Sequence, residues 1–260
     1  MITSLTNKKI KNLVNLIQKN KARKEQDVFI TEGIRMFLEA KKENILEVYV
    51  SSSFLQKVEE EVKEKLTLLN YEEVSDEVFR KISDTITPQG ILCVNRQYHY
   101  LPEDILKREN PLLLLLEDIQ DPGNLGTMIR TAEAAGIDGI IMSKNTVDIY
   151  NPKTIRSTMG SIFRMPFYYT QNLPETMEVL QKKGIKIYAA HLKGEFSYDK
   201  ADYKEASAFL IGNEGNGLKK ATADLADCYM RIPMDGQVES LNAAVASVIL
   251  MYEAARQRRE

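Results

Sequence analysis

The chain has 260 residues, 43% of them hydrophobic and 28% charged, enough for one large core or two modest ones and unlike a disordered or fibrous composition. A formal net charge of −2 carries no overall signal for nucleic acid. Two Cys and two His lie too far apart for a zinc site, so no metal is expected, and the apolar run Leu112–Leu116 is too short to span a bilayer.

The N-terminus is polar and basic without an apolar leader, so the expectation is a cytoplasmic protein with no membrane segment, its Cys93 and Cys228 buried as free thiols. Residues 8–24 hold Lys8, Lys9, Lys11, Lys19, Lys21, Arg23 and Lys24 and no acid. Such a block suits a phosphate backbone, and equally a solvated basic helix. Within it Ile10, Leu13, Val14 and Ile17 recur at helical spacing. A strand over 28–30, a helix over 32–40, a strand over 46–50, a charged helix over 54–66 and a strand over 90–94 complete a small α/β unit. The polar stretch 96–110, with Pro102, reads as a linker. The division is therefore set near residue 105, with domains 1–105 and 106–260.

Beyond the linker, strands and helices alternate. The run 112–116 has the continuous apolar character of a buried parallel strand. A helix over 125–135, a strand over 139–142, helices over 153–163 and 174–183, strands over 185–190 and 208–211, and a last helix over 241–256 follow. This alternation predicts an α/β domain with a mostly parallel sheet.

Three motifs fall at strand ends, where open α/β sheets bind ligands. The first runs from Asp121 to Arg130. Asn124 is suited to cap the following helix, Gly136 to end it, and Arg130 points away from the apolar stripe. The second, Gly212-Asn213-Glu214-Gly215-Asn216-Gly217-Leu218, lets the backbone approach a ligand, and Glu214 would repel phosphate but suit a cationic or hydrogen-bond-donating group. In the third, Ile232 to Ala246, Ser240 reads as the cap of a last helix apolar nearly all round, which predicts burial, including burial between subunits. The turn after the first strand lacks the glycine spacing of a dinucleotide fingerprint, which sets aside an ordinary nucleotide-dependent enzyme.

In order and spacing, these motifs resemble the SpoU (TrmH-type) branch of the SPOUT RNA methyltransferases across residues 111–256, including Asn151-Pro152-Lys153 and Arg156 to Gly160. Phe29-Ile30-Thr31-Glu32-Gly33 resembles the small ribosomal-protein-like substrate-binding module found ahead of many family members. The resemblance implies a deep trefoil knot in the C-terminal domain, an exception to the rule against knotted chains. It also implies a homodimer through that domain, with S-adenosylmethionine as cofactor. Carried onto this chain, the cofactor contacts are Ala190, His191, Leu192, Gly212, Asn213, Gly217, Ile232, Met234, Ser240, Leu241 and Ala244. The catalytic set is Asn124, Arg130, Glu214, Ser240 and Asn242. Lys8, Lys9, Lys11, Arg23, Arg35, Arg130 and Arg156 are the expected RNA contacts. The implied reaction is methyl transfer to a ribose 2′-oxygen. A separate N-terminal module favours ribosomal RNA of the large-subunit (23S) type over tRNA. The alternative is a non-catalytic RNA-binding protein retaining the fold.

Overall fold

The computed structural model describes residues 1–194 and 196–259. By contacts the chain forms two units: Met1–Tyr98 with Asp148–Phe163, and His99–Val147 with Arg164–Glu260.

In the first unit β1 (Val28–Glu32), β2 (Ile45–Ser51), β3 (Tyr71–Val74) and β4 (Ile91–Arg96) form a sheet in the order β1-β4-β2-β3. Only the β2–β3 pair is parallel. The basic helix Lys8–Gln18 turns Ile10, Leu13 and Leu16 onto Val78, Phe79, Leu92 and Val94, so its apolar stripe is buried and its lysines face out. The expected helix over 54–66 is two, Ser52–Leu55 and Glu60–Thr67. Residues 148–163 join this unit through aromatic packing, with the Phe29 and Tyr150 rings stacked at 4.7 Å and Phe163 6.2 Å from Phe29.

Arg23 corrects an expectation. It is 3% exposed, its guanidinium donating to the Leu16 carbonyl at 2.7 Å and to Asp148 at 2.7 Å. It is an internal ion pair, unavailable to a ligand, because burial needs both its charge and its donors matched. The expectation of two buried thiols holds for Cys93, while Cys228 is half-buried.

In the second unit β5 (Leu112–Leu116), β6 (Gly139–Ser143), β7 (Phe167–Thr170), β8 (Lys186–Ala190), β9 (Phe196–Ser197), β10 (Ser207–Ile211) and β11 (Cys228–Arg231) form one sheet. Its order is β7-β6-β5-β10-β8-β11-β9, every pair parallel. All five residues of β5 are buried, as a central strand covered on both faces requires. β10 enters between β5 and β8, so a late strand returns to the middle of the sheet and places the loops after β5, β8, β10 and β11 at one edge. Among the described residues no helix is long and apolar enough to cross a membrane.

Candidate active site

At the carboxyl ends of β8, β10 and β11 lies a cavity of 850 Å³. Its wall begins with Ala190 at the end of β8 and His191 and Leu192 just after it. The His191 ring stacks on Tyr229 at 4.8 Å, and its Nδ1 accepts from the Lys193 N–H at 3.1 Å.

The loop after β10 closes on itself. Asn213 and Gly217 exchange backbone hydrogen bonds of 3.1 and 2.9 Å, while the Asn213 side chain accepts from Gly215 N at 2.9 Å and Asn216 N at 3.1 Å. A Cβ on Gly212 would sit 2.3 Å from the Gly217 carbonyl carbon and the Leu218 nitrogen, so only glycine allows this closure. Gly217 itself has a φ of +66°.

Glu214 is bonded outward from the loop, not into empty space. Its carboxylate accepts from the backbone N–H of Gln120 at 3.0 Å and Asp121 at 3.1 Å, and from the Asn124 amide at 3.0 Å. Partial burial pushes this carboxyl up, but the bonds from Asn124, Gln120 and Asp121 outweigh it and hold the pKa below the ordinary value of 4.5. Glu214 is therefore an anion in the cavity wall at neutral pH.

Asn124 in turn accepts from the Asn242 amide at 3.1 Å. Glu214, Asn124 and Asn242, far apart in sequence, thus form one chain of hydrogen bonds. Two capping expectations are corrected here. Asp121, not Asn124, caps the helix Pro122–Ala135, accepting from Asn124 N at 2.8 Å. Asn242, not Ser240, caps the last helix Ala243–Gln257, accepting from Ala244 N at 2.9 Å and Val245 N at 3.3 Å. In both places the side chain that reaches the free N–H groups is the one at the turn into the helix, with Asn124 already inside it.

Ser240 lines the cavity, as do Gly212, Asn213, Gly217, Ile232, Met234 and Leu241. Ala244 does not; it is buried in the last helix while Ala243 and Ala246 face the cavity. The last helix also departs from complete burial: Val245 is 48% and Tyr252 43% exposed. Leu218, Pro233 and Glu239 line the wall without having been expected, and their proximity follows only from loop shape. Arg130 is outside the cavity lining, exposed on the helix Pro122–Ala135, with no hydrogen bond or ion pair among the described residues.

The other expected RNA contacts belong to the first unit. Lys8 and Lys11 are exposed, Lys9 bonds Glu72 at 2.5 Å, Arg35 pairs with Glu39 at 2.9 Å, and Arg156 pairs with Asp84.

The cavity suits a partly cationic ligand. It offers backbone groups along 212–217, apolar surface from Leu218, Ile232 and Met234, and a fixed anion at Glu214.

Residues 111–252 match the model of the SpoU rRNA Methylase family, and residues 7–93 that of an MRM3-like substrate binding domain. The chain is 36% identical over 252 residues to the 23S rRNA (guanosine(2553)-2'-O)-methyltransferase RlmP of Bacillus subtilis, covering 96% of this chain and 97% of that protein. Among solved structures, the SpoU methyltransferase AviRb of Streptomyces viridochromogenes in complex with AdoMet superposes with a TM-score of 0.88 at 26% identity, covering 98% of this chain and 99% of that one. An AdoMet-bound rRNA methyltransferase of Sinorhizobium meliloti gives 0.85 at 33% identity, covering 98% and 97%.

Proposed function

The chain belongs to the SpoU rRNA methylase family and is an S-adenosylmethionine-dependent RNA 2′-O-ribose methyltransferase, and we propose that its substrate is ribosomal RNA of the 23S type and not tRNA. The observation that carries the substrate is the match to a 23S rRNA methyltransferase over both domains, N-terminal module included. Residues 1–105 are the RNA-binding part in this reading, 106–260 the catalytic part, and the enzyme works in the cytoplasm. It acts as a homodimer through the C-terminal domain, a reading supported by the large hydrophobic side chains Val245 and Tyr252, which the last helix leaves exposed.

S-adenosylmethionine supplies an electrophilic methyl group on a sulfonium centre. The loop 212–218, with Ile232, Met234, Ser240 and Leu241, holds it, and anionic Glu214 complements its positive charge. His191 and Leu192 close the wall after β8. Asn124 and Asn242, tied to Glu214, keep the strand-end loops in register, so that a ribose hydroxyl is aligned with the methyl group. Alignment of reacting groups supplies about 7–11 kcal/mol in favourable cases. Arg130, unpaired and exposed, binds the RNA phosphate next to the target ribose, where its planar fork matches the phosphate oxygens. Lys8, Lys9, Lys11, Arg35 and Arg156 add phosphate contacts in the first unit.

Transfer of labelled methyl to unmodified ribosomal RNA and tRNA, followed by nucleoside identification, tests the assignment. A 2′-O-methyl nucleoside in 23S-type RNA, lost with Arg130→Ala, is expected. Methylation of tRNA alone would overturn the substrate, and near-wild-type rates for Arg130→Lys would overturn the phosphate role, which depends on a bidentate fork.

A further inference from the structure

Glu117, directly after β5, is 3% exposed and takes no part in the chemistry above. A carboxylate taken out of water is costly unless its oxygens are bonded, and an apolar side chain would fill the space at lower cost. Both of its oxygens reach one distant segment. Oε2 accepts from the Lys219 backbone N–H at 2.8 Å, and Oε1 accepts from the Thr222 hydroxyl at 2.5 Å.

The next residue repeats the arrangement. Asp118 adopts a φ of +53°, a left-handed conformation that Asp tolerates better than most residues. Its carboxylate accepts from the Lys219 Nζ at 2.5 Å and from the Ser143 hydroxyl at 2.7 Å, and its carbonyl accepts from the Asn213 amide at 2.8 Å. Lys219 is thus held twice, by its backbone to Glu117 and by its ammonium to Asp118. Asn213 and Glu214 secure the start of the loop to residues 118–121, and Lys219 and Thr222 secure its end to 117–118. The loop between them, with the groups that face the cavity, is fixed at both ends from one short connection.

We propose that Glu117 is a positioning residue which, with Asp118, clamps Lys219 and Thr222 and thereby preforms the 212–218 loop for S-adenosylmethionine. The proposal deepens the cofactor reading of the same cavity and rests on it. A preformed loop binds without first being ordered, so loss of the clamp weakens cofactor affinity and spares the rate once the cofactor is bound.

The test combines calorimetry of S-adenosylmethionine binding with steady-state kinetics on the full chain. Glu117→Met keeps the volume and removes both acceptors. It should raise the Kd and KM for S-adenosylmethionine about tenfold or more, with kcat at saturation within about threefold of wild type. Glu117→Gln should bind within about threefold of wild type, because the Thr222 hydroxyl can turn to accept from the amide while the Lys219 N–H keeps an oxygen. A folded Glu117→Met protein with unchanged Kd, or with its loss confined to kcat, would overturn the clamp. Should Glu117→Met fail to fold, Thr222→Val decides: weaker binding that Thr222→Ser restores supports the clamp, and wild-type binding by Thr222→Val overturns it. Absence of binding by the wild-type chain would instead overturn the cofactor reading itself.

Discussion

Along residues 212–222 the cavity wall is bonded to Glu117, Asp118 and the Gln120 and Asp121 backbone, whereas residues 233–241 make no hydrogen bond among the described residues. That second stretch is mostly exposed and is held at its ends, by β11 on one side and the Asn242 cap on the other. One wall is a preformed template, the other a connection whose path leaves its polar groups to solvent or ligand. The first wall therefore presents fixed groups to the cavity. Adjustment on binding is left to the second, since segments with few internal bonds open at least cost.

Glycine substitutions should break this comparison most sharply. Gly212→Ala places a methyl group against the Gly217 carbonyl carbon, whereas a Cβ at Gly236 meets nothing within 4 Å. Overpacking costs about 1–3 kcal/mol, so Gly212→Ala should weaken S-adenosylmethionine binding about 5- to 150-fold. Gly236→Ala should stay within about threefold of wild type in the same calorimetric titration. Equal losses at both positions would mean the walls do not differ.

Acid is the next lever. Burial raises and hydrogen bonds lower the carboxyls of Asp118 and Glu214, and the net shift in each is downward. Their contribution is complete above the ordinary values of 3.8 and 4.5 and is lost as pH falls through the lower folded values. Asp118→Asn with Glu214→Gln should therefore flatten the acid limb of a plot of Tm against pH. An acid limb identical to wild type would show that the first wall draws no stability from these anions.

The smallest effect separates capping from lining. Asn242→Ala should lower unfolding free energy by about 1 kcal/mol, as loss of an N-cap does. Ser240→Ala should leave stability unchanged in urea unfolding and register only in methyl transfer. A stability loss at Ser240 would return the cap to that residue.

The pattern of residues was sufficient for the alternation of the second unit, because a run such as Leu112–Leu116 has one stable environment, the middle of a covered sheet. It was sufficient also for the ordered motifs, and so for the family, since glycines and amides at fixed spacing are local information. Short or half-exposed strands such as β3, β7 and β11 were not legible, because their pairing partners, not their own composition, make them strands. The two caps were misplaced by a few residues for a related reason: several polar side chains stand near each helix start, and backbone direction decides which one reaches the free N–H groups. Arg23 looked like its basic neighbours until folding supplied Asp148 as its partner. Glu117, one residue past the predicted strand 112–116, carried no signal in the sequence, because β10 beside β5 is what brings Lys219 and Thr222 within its reach. Composition and spacing thus determined the longer elements and the ordered motifs, and the resemblance those motifs carry supplied the chemistry. Only tertiary structure decided which charges are buried and which loop is held, because those depend on partners about a hundred residues away in the chain.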